Sequence, residues 1–312
     1  MNESTASPTN WWDTCLTALA PITWGSTYIV ATELLPADRP LTAAMLRILP
    51  AGLLLVCLCR HLPQRNEWWR LLILGALNLG LFQALLFIAA YRLPGGVAAV
   101  LGAIQPMFVI LLCWGLDQQR PALITLIASL TGVGGMAVLL LSPGAGWDGI
   151  GITAALAGAL SMACGTYLAR HWRSQMPLLA FTGWQLLLAG LMLLPVSLLT
   201  EEALPELQPM QIAGYVYLCL IGALLAYVLW FRGISKLTPA AVSSLGLLSP
   251  LTAVILGWAL LGQSISATGI AGFLTVLISV YLMQNRPSVQ QSYQPNSRLS
   301  AVGKTDKLIA GQ

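Results

Sequence analysis

The sequence predicts an all-α integral membrane protein of ten transmembrane helices in two inverted five-helix repeats. Three observations predict it. Hydrophobic residues fill 57% of the 312 positions and charged residues only 8%, where a soluble domain carries about 25% charged residues. Apolar runs of about 20 residues, the length that crosses a bilayer core, recur along the chain, and the mean hydropathy is +0.77. Two segments 144 residues apart repeat one another.

The first apolar run spans 14–34. Residues 1–13 lack the Lys or Arg that opens a secretory signal, and no small-residue cleavage pattern follows, so the run is expected to remain as a helix. The next runs are 41–59, 68–90, 95–116 and 121–141, then 149–169, 179–199, 210–231, 239–261 and 265–284. Turn-forming residues separate them: Pro36 to Pro40, Pro63 to Glu67, Pro94 to Gly96, Gln118 to Pro121, Pro143 to Gly146, and Glu201 to Pro209. The first two runs and the last two form hairpins. Residues 287–312 are rich in Ser, Gln, Asn and Pro and are expected to form a disordered cytoplasmic tail.

Cytoplasmic loops are enriched in Lys and Arg. With the N-terminus in the cytoplasm, the inside segments hold Arg60, Arg65, Arg70, Arg120, Arg170, Arg173, Arg232, Lys236, Arg286, Arg298, Lys304 and Lys307, and the outside loops only Arg39 and Arg92. Both termini are therefore expected to be cytoplasmic, which demands an even number of spans. This distribution also accounts for the net charge of +4 without a nucleic-acid partner. The six cysteines stand mostly inside apolar runs and lack the paired spacings of a zinc site or a disulfide framework.

The repeat is carried by LGAIQP at 101–106 and LGLLSP at 245–250, in the fourth and ninth runs. At the same offset Phe87 matches Phe231, Leu93 matches Leu237 and Trp114 matches Trp258; after small gaps, Thr27-Tyr28 matches Thr166-Tyr167. The expected repeats are residues 1–143 and 144–286. Each holds five runs, an odd number, so the second enters the membrane from the opposite side. Inverted repeats are the means by which many secondary transporters build one central site and alternate its exposure.

Together these residues resemble the drug/metabolite transporter superfamily and, within it, the EamA-type ten-helix transporters. The matching segments are TWGSTYIV at 23–30, Arg47 in MLRIL, FIAAYRLPGGVAAVLGAIQP at 87–106, TGWQLLLAG at 182–190 and the run around Pro250. The opening helix and the TGWQ segment are similar to the PecM-like pigment and metabolite exporters. The resemblance implies export of a small organic solute. One departure stands out: where family members often carry Glu after the fourth and ninth helices, this chain has Gln119 and Gln263.

Pro106 and Pro250 are expected to kink the fourth and ninth helices and help gate a cavity, with Gly102 and Gly246 one turn earlier permitting close approach. Arg47 lies about two turns inside the second helix, where an ionisable group is costly. Its expected partner is Glu33, which is also the candidate proton carrier. A substrate-carboxylate site, a gating pair and a headgroup-seeking Arg all stay open at this point. The uncharged polar candidates for the substrate cavity are Ser26, Gln83, Gln105, Gln185 and Ser249, for each of which helix-to-helix hydrogen bonding is the competing role. The aromatic candidates are Trp24, Tyr28, Tyr91, Tyr167, Trp184, Tyr227 and Trp230. Trp11, Trp12, Trp68 and Trp69 read instead as an interfacial belt.

The sequence carries no phosphate-binding Gly-Lys-Ser/Thr loop, metal-ligand cluster or serine nucleophile elbow. The expectation is a non-enzyme without cofactor or resident metal, in a bacterial inner membrane. Its partners are a small-molecule substrate, lipid, and a coupling proton or other ion. Uptake or exchange, and a regulator without transport, are the alternatives.

Overall fold

The computed structural model describes residues 11–36, 39–93, 100–118, 120–140, 148–172, 174–262 and 266–284. Among these, regular structure is entirely helical. α1 is Trp11–Leu34 and α2 Pro40–Cys59. α3 joins Trp68–Gly75, a π-helical stretch Ala76–Gly80, and Leu81–Arg92. α4 is Val100–Asp117, α5 Leu123–Leu140, α6 Gly149–Trp172 and α7 Leu178–Thr200. α8 is Pro209–Lys236 with a π-helical stretch at Leu218–Leu225, α9 is Pro239–Leu261 and α10 Ala267–Gln284. Residues 287–312, Gln119 and Gln263 lie outside the described residues.

Nine of these helices are long and apolar enough to cross a membrane. The tenth, α1, is long enough, but its stretch Thr23-Trp24-Gly25-Ser26-Thr27 dilutes the hydropathy. Large apolar side chains cover the outside of the bundle. Leu199 is 85% exposed and Leu58 70%, positions that water would penalise and lipid does not.

α2 lies along α7, and α5 along α10; α6 packs on α3 and α4, while α1 packs on α8 and α9. α3 also meets α7, α8 meets α2, and α4 meets α9. Shifting each helix number by five, up in one half and down in the other, turns this set of pairs into itself. Glycine makes the tightest crossings possible: a methyl placed on Gly52 of α2 would lie 2.3 Å from the Leu187 backbone nitrogen of α7. On α5 and α10, a methyl on Gly272 would lie 2.7 Å from the Gly135 carbonyl oxygen. Lipid tails are as apolar as leucine, so such backbone-to-backbone contact, rather than apolar burial, drives helices together in a membrane.

At one end of the bundle, Asp13 and Arg232 form an ion pair of 2.5 Å between the start of α1 and the end of α8. There too, Ser174 donates to Glu67 at 2.9 Å ahead of α3. At the other end, Arg92 and Asp148 pair at 3.6 Å between the end of α3 and the start of α6, and Arg39 and Glu202 pair at 3.3 Å between α2 and the end of α7. α1 and α6 thus start at opposite ends. The first end gathers Arg60, Arg65, Arg70, Arg120, Arg170, Arg232 and Lys236 and is called the basic end below.

α4 and α9 are interrupted, and the interruption differs from a proline kink inside a continuous helix. α4 breaks at Ala103–Ile104 and resumes as Gln105–Asp117, and α9 breaks at Gly246–Leu247 and resumes as Leu248–Leu261. Pro106 and Pro250 therefore fall in the first turn of the second segment, where a helix needs no backbone N–H. Both segments end in a left-handed residue, Gln118 at φ 57° and Gly262 at φ 66°, again 144 positions apart.

Candidate functional site

The site is built on the π-helical stretch of α8. A π turn widens the backbone ring and loosens local carbonyls from the regular ladder. The Gly222 carbonyl accepts two hydrogen bonds from other helices, 2.8 Å from the Arg47 guanidinium of α2 and 3.1 Å from the Trp24 indole N–H of α1. Arg47 also packs over Gly222 itself: a methyl there would lie 3.6 Å from Arg47 Nε, in ordinary van der Waals contact. Arg47 is buried, so its charge faces the interior of the bundle rather than headgroups. Glu33, its expected partner, is exposed near the far end of α1, and the bond described for Arg47 runs to the Gly222 carbonyl of α8. Above Arg47, Glu201 accepts from the backbone N–H groups of Leu41 and Thr42 at 2.6 and 2.7 Å, capping the first turn of α2.

An aromatic column continues from this point toward the basic end. The Trp24 ring lies 5.0 Å from Tyr227 and 5.1 Å from Trp230; Tyr227 stacks on Phe231 at 6.2 Å, and Phe231 meets Phe181 of α7 edge-on at 5.6 Å. Beyond Phe181 and Phe231 opens a cavity of about 400 Å³ between α6, α7 and α8, also lined by Arg170, Ser174 and Met176. Arg170 donates to the Ile234 carbonyl at 3.0 Å and to that of Leu237, holding the end of α8.

Gln105 opens the helix just after the break of α4 and faces the break of α9: a methyl on Gly246 would lie 3.8 Å from Gln105 Oε1 and 4.0 Å from the Trp230 ring. Gly102, its counterpart in α4, borders open space. Ser249 is partly buried beside this break, and its carbonyl oxygen would lie 2.5 Å from a methyl on Gly25 of α1. Ser26 hydrogen-bonds the Tyr217 hydroxyl at 2.6 Å and the Thr23 carbonyl at 2.7 Å. The structure thus brings Trp24, Arg47, Gln105, Tyr227, Trp230 and Gly246 into one contiguous cluster.

Other expected cavity residues lie elsewhere. Trp184 donates to the His61 carbonyl at 2.9 Å and meets Trp68 edge-on at the basic end. Tyr167 donates to Asp117 at 2.6 Å and stacks on His171. Gln185 is fully buried and accepts from Asn78 at 3.2 Å, tying α7 to the π-helical stretch of α3. Gln83 is buried in α3, and the side chains of Tyr28 and Tyr91 lie outside the described residues. Gln185→Leu leaves the Asn78 amide without its partner, so a lower unfolding temperature is expected, reflecting roughly 0.6–1.7 kcal/mol for a hydrogen bond between membrane helices. Thermal unfolding of purified protein in lipid nanodiscs checks it.

Sequence reasoning missed Gly222, Tyr217, Phe181, Asp117 and Arg170. One signal for Gly222 existed, since it stands 144 positions after Asn78, and the Ala-Gly pair 189–190 repeats Ala51-Gly52. That register sets Gln185 against Arg47. The bond from Arg47 to Gly222 and the bond from Asn78 to Gln185 thus occupy corresponding crossings, cationic in one and neutral in the other.

The model of the EamA-like transporter family matches this chain twice, over residues 11–141 and 149–284. The chain belongs to the EamA-like transporter family. Protein PecM of Dickeya dadantii is similar to it, with 44% identity over 269 residues, 85% of this chain and 90% of PecM. The uncharacterized inner membrane transporter YedA of Escherichia coli K12 is 29% identical over 298 residues, covering 88% of this chain and 94% of YedA. A solved crystal structure aligns with a TM-score of 0.76 at 17% identity, over 87% of this chain and 96% of that one, which shows a shared fold. This EamA-like transporter is accordingly an all-α, multi-pass membrane protein, and the Arg47 and Gly222 crossing lies inside its transport fold.

Proposed function

We propose that this EamA-like transporter is a secondary carrier that exports a small organic metabolite, such as an amino acid, a related metabolite or a drug-like compound, across the bacterial inner membrane by alternating access. In this reading α1 is the tenth span, residues 1–143 and 144–286 are inverted repeats, and both termini are cytoplasmic. The observation that carries it is the buried cluster of Arg47, Gly222 and Trp24, set where helices of both halves cross. The exchange pattern of helix contacts supports rocking of equivalent bundles about that point, and the concentration of Arg at one end supports the orientation. The relationship to the inner membrane transporter YedA supports an inner-membrane setting.

The test is flux of a labelled metabolite panel, amino acids and aromatic compounds included, in proteoliposomes with and without an imposed proton gradient. Selective flux of one class is expected, and its gradient dependence identifies the coupling. Absence of flux for every compound in folded, inserted protein would sink the proposal.

The breaks in α4 and α9 serve as the hinges of this motion. Pro106→Ala and Pro250→Ala restore backbone N–H groups and let each helix close across its break, so each variant is expected to lose transport while membrane abundance holds. Flux normalised to protein in the membrane measures this. Unchanged flux in both variants would make the breaks static packing features.

A further inference from the structure

Among the described residues, two buried donors in the central cluster have no acceptor. Trp230 is 1% exposed, yet its indole N–H makes no hydrogen bond, and the side-chain amide Nε2 of Gln105 is likewise buried and unmatched. Both side chains border the same residue, Gly246, Gln105 through Oε1 and Trp230 through the Cη2 edge of its ring. Trp230 packs on Trp24, which with Arg47 donates to the Gly222 carbonyl. The two unmatched groups therefore share one chemistry, an indole N–H and an amide NH₂ that both donate, and the neighbouring guanidinium donates and carries positive charge. A buried donor without a partner is costly, and lipid supplies no water to relieve it. The corresponding crossing of α3 and α7 differs, because there the Asn78 amide donates to Gln185.

We infer that the junction of α4, α8 and α9 binds the carboxylate end of an organic anion or zwitterion, with Gln105 and Trp230 as specificity-determining donors and Trp24 and Tyr227 packing against a planar apolar body. The inference rests on the transport reading above and names the substrate class for that site. Arg47 adds charge of the matching sign, and Arg170 places the same sign in the cavity beyond Phe181 and Phe231. An ammonium group at this position can donate to Gln105 Oε1 but leaves the Gln105 Nε2 and Trp230 N–H donors unmatched, and its charge has the same sign as that of Arg47. The edge-on pair of Phe181 and Phe231 separates the cavity from the donors, so a solute arriving from the basic end must part these rings.

The experiment uses the full chain in lipid nanodiscs with two probes that share a ring and differ at one end, phenylacetate and phenethylamine. Calorimetric titration is expected to show phenylacetate binding at least about tenfold more tightly. Gln105→Leu and Trp230→Phe are each expected to weaken phenylacetate by about tenfold, the loss of one hydrogen bond to a charged group. In the ligand-free state Gln105→Leu, which keeps the side-chain volume, should unfold at an unchanged or higher temperature because it removes an unmatched donor, whereas Trp230→Phe also opens a cavity in the core and is read by binding alone. A lower unfolding temperature in Gln105→Leu would show that its amide serves the fold, and would overturn the inference. Equal binding of the two probes, or binding of neither, would also overturn it. Proteoliposome flux keeps the two readings apart: transport without preference for carboxylates removes only the inference, whereas carboxylate binding without any flux removes only the transport reading.

Discussion

Gly52→Leu is expected to leave almost no folded protein in the membrane. The missing side chain of Gly52 lets α2 touch the backbone of α7, and even a methyl there would lie 2.3 Å from the Leu187 nitrogen and 2.8 Å from the Leu186 carbonyl carbon. Neither is the free end of a side chain that can swing away. The helices must separate, and the same movement opens the crossings of Gly183 with Leu55 and Gly190 with Leu49. Overpacking of a dense interface costs typically about 1–3 kcal/mol, and a shift along a whole helix pair goes to the top of that range or beyond it. Gly102→Leu is the control, since a side chain at Gly102 enters open space. Size-exclusion profiles of tagged variants in mild detergent, read against membrane abundance, make the comparison. A monodisperse Gly52→Leu protein at normal abundance would remove the α2–α7 contact as the basis of assembly.

Arg47→Leu is expected to raise the KM for transport sharply while much of the folded protein survives. Leucine fits the apolar surroundings, and the Gly222 carbonyl keeps the Trp24 donor. What disappears is the positive charge beside Trp24 and Tyr227. Hydrogen bonds to charged groups contribute about 1.5–3 kcal/mol, so substrate affinity is expected to fall by roughly ten- to a hundredfold. Arg47→Lys keeps the charge but loses the planar fork, and should recover part of the activity. Flux at rising substrate concentration separates the two outcomes. A raised KM with intact abundance fits a substrate-facing charge, whereas parallel loss of folded protein in both variants would assign Arg47 to structure.

The composition and order of residues were enough to place the apolar runs, the breaks at Pro36–Pro40 and Glu201–Pro209, and the 144-residue repeat. Each follows from local chemistry. A bilayer requires about 20 consecutive apolar residues, whatever the rest of the chain does, and LGAIQP and LGLLSP are visible side by side. The Trp24, Arg47, Tyr227 and Trp230 candidates were legible for the same reason, as polar or aromatic groups inside apolar runs. Their partners were not. Arg47 reaches a carbonyl 175 positions away, and that carbonyl is available because α8 runs through a π-helical stretch at Leu218–Leu225. One residue added to a turn rotates everything after it by roughly 100°, and LCLIGALL carries no composition that announces it. The same limit sent Trp184 and Gln185 into the expected cavity, when packing gave one to the His61 carbonyl and the other to Asn78. Hydropathy is summed along the chain, residue by residue, so the sequence by itself determined the apolar runs and showed the 144-residue recurrence of LGAIQP as LGLLSP. Which buried donor meets which acceptor depends on the rotation and closeness of helices far apart in sequence, and only the tertiary structure decided it.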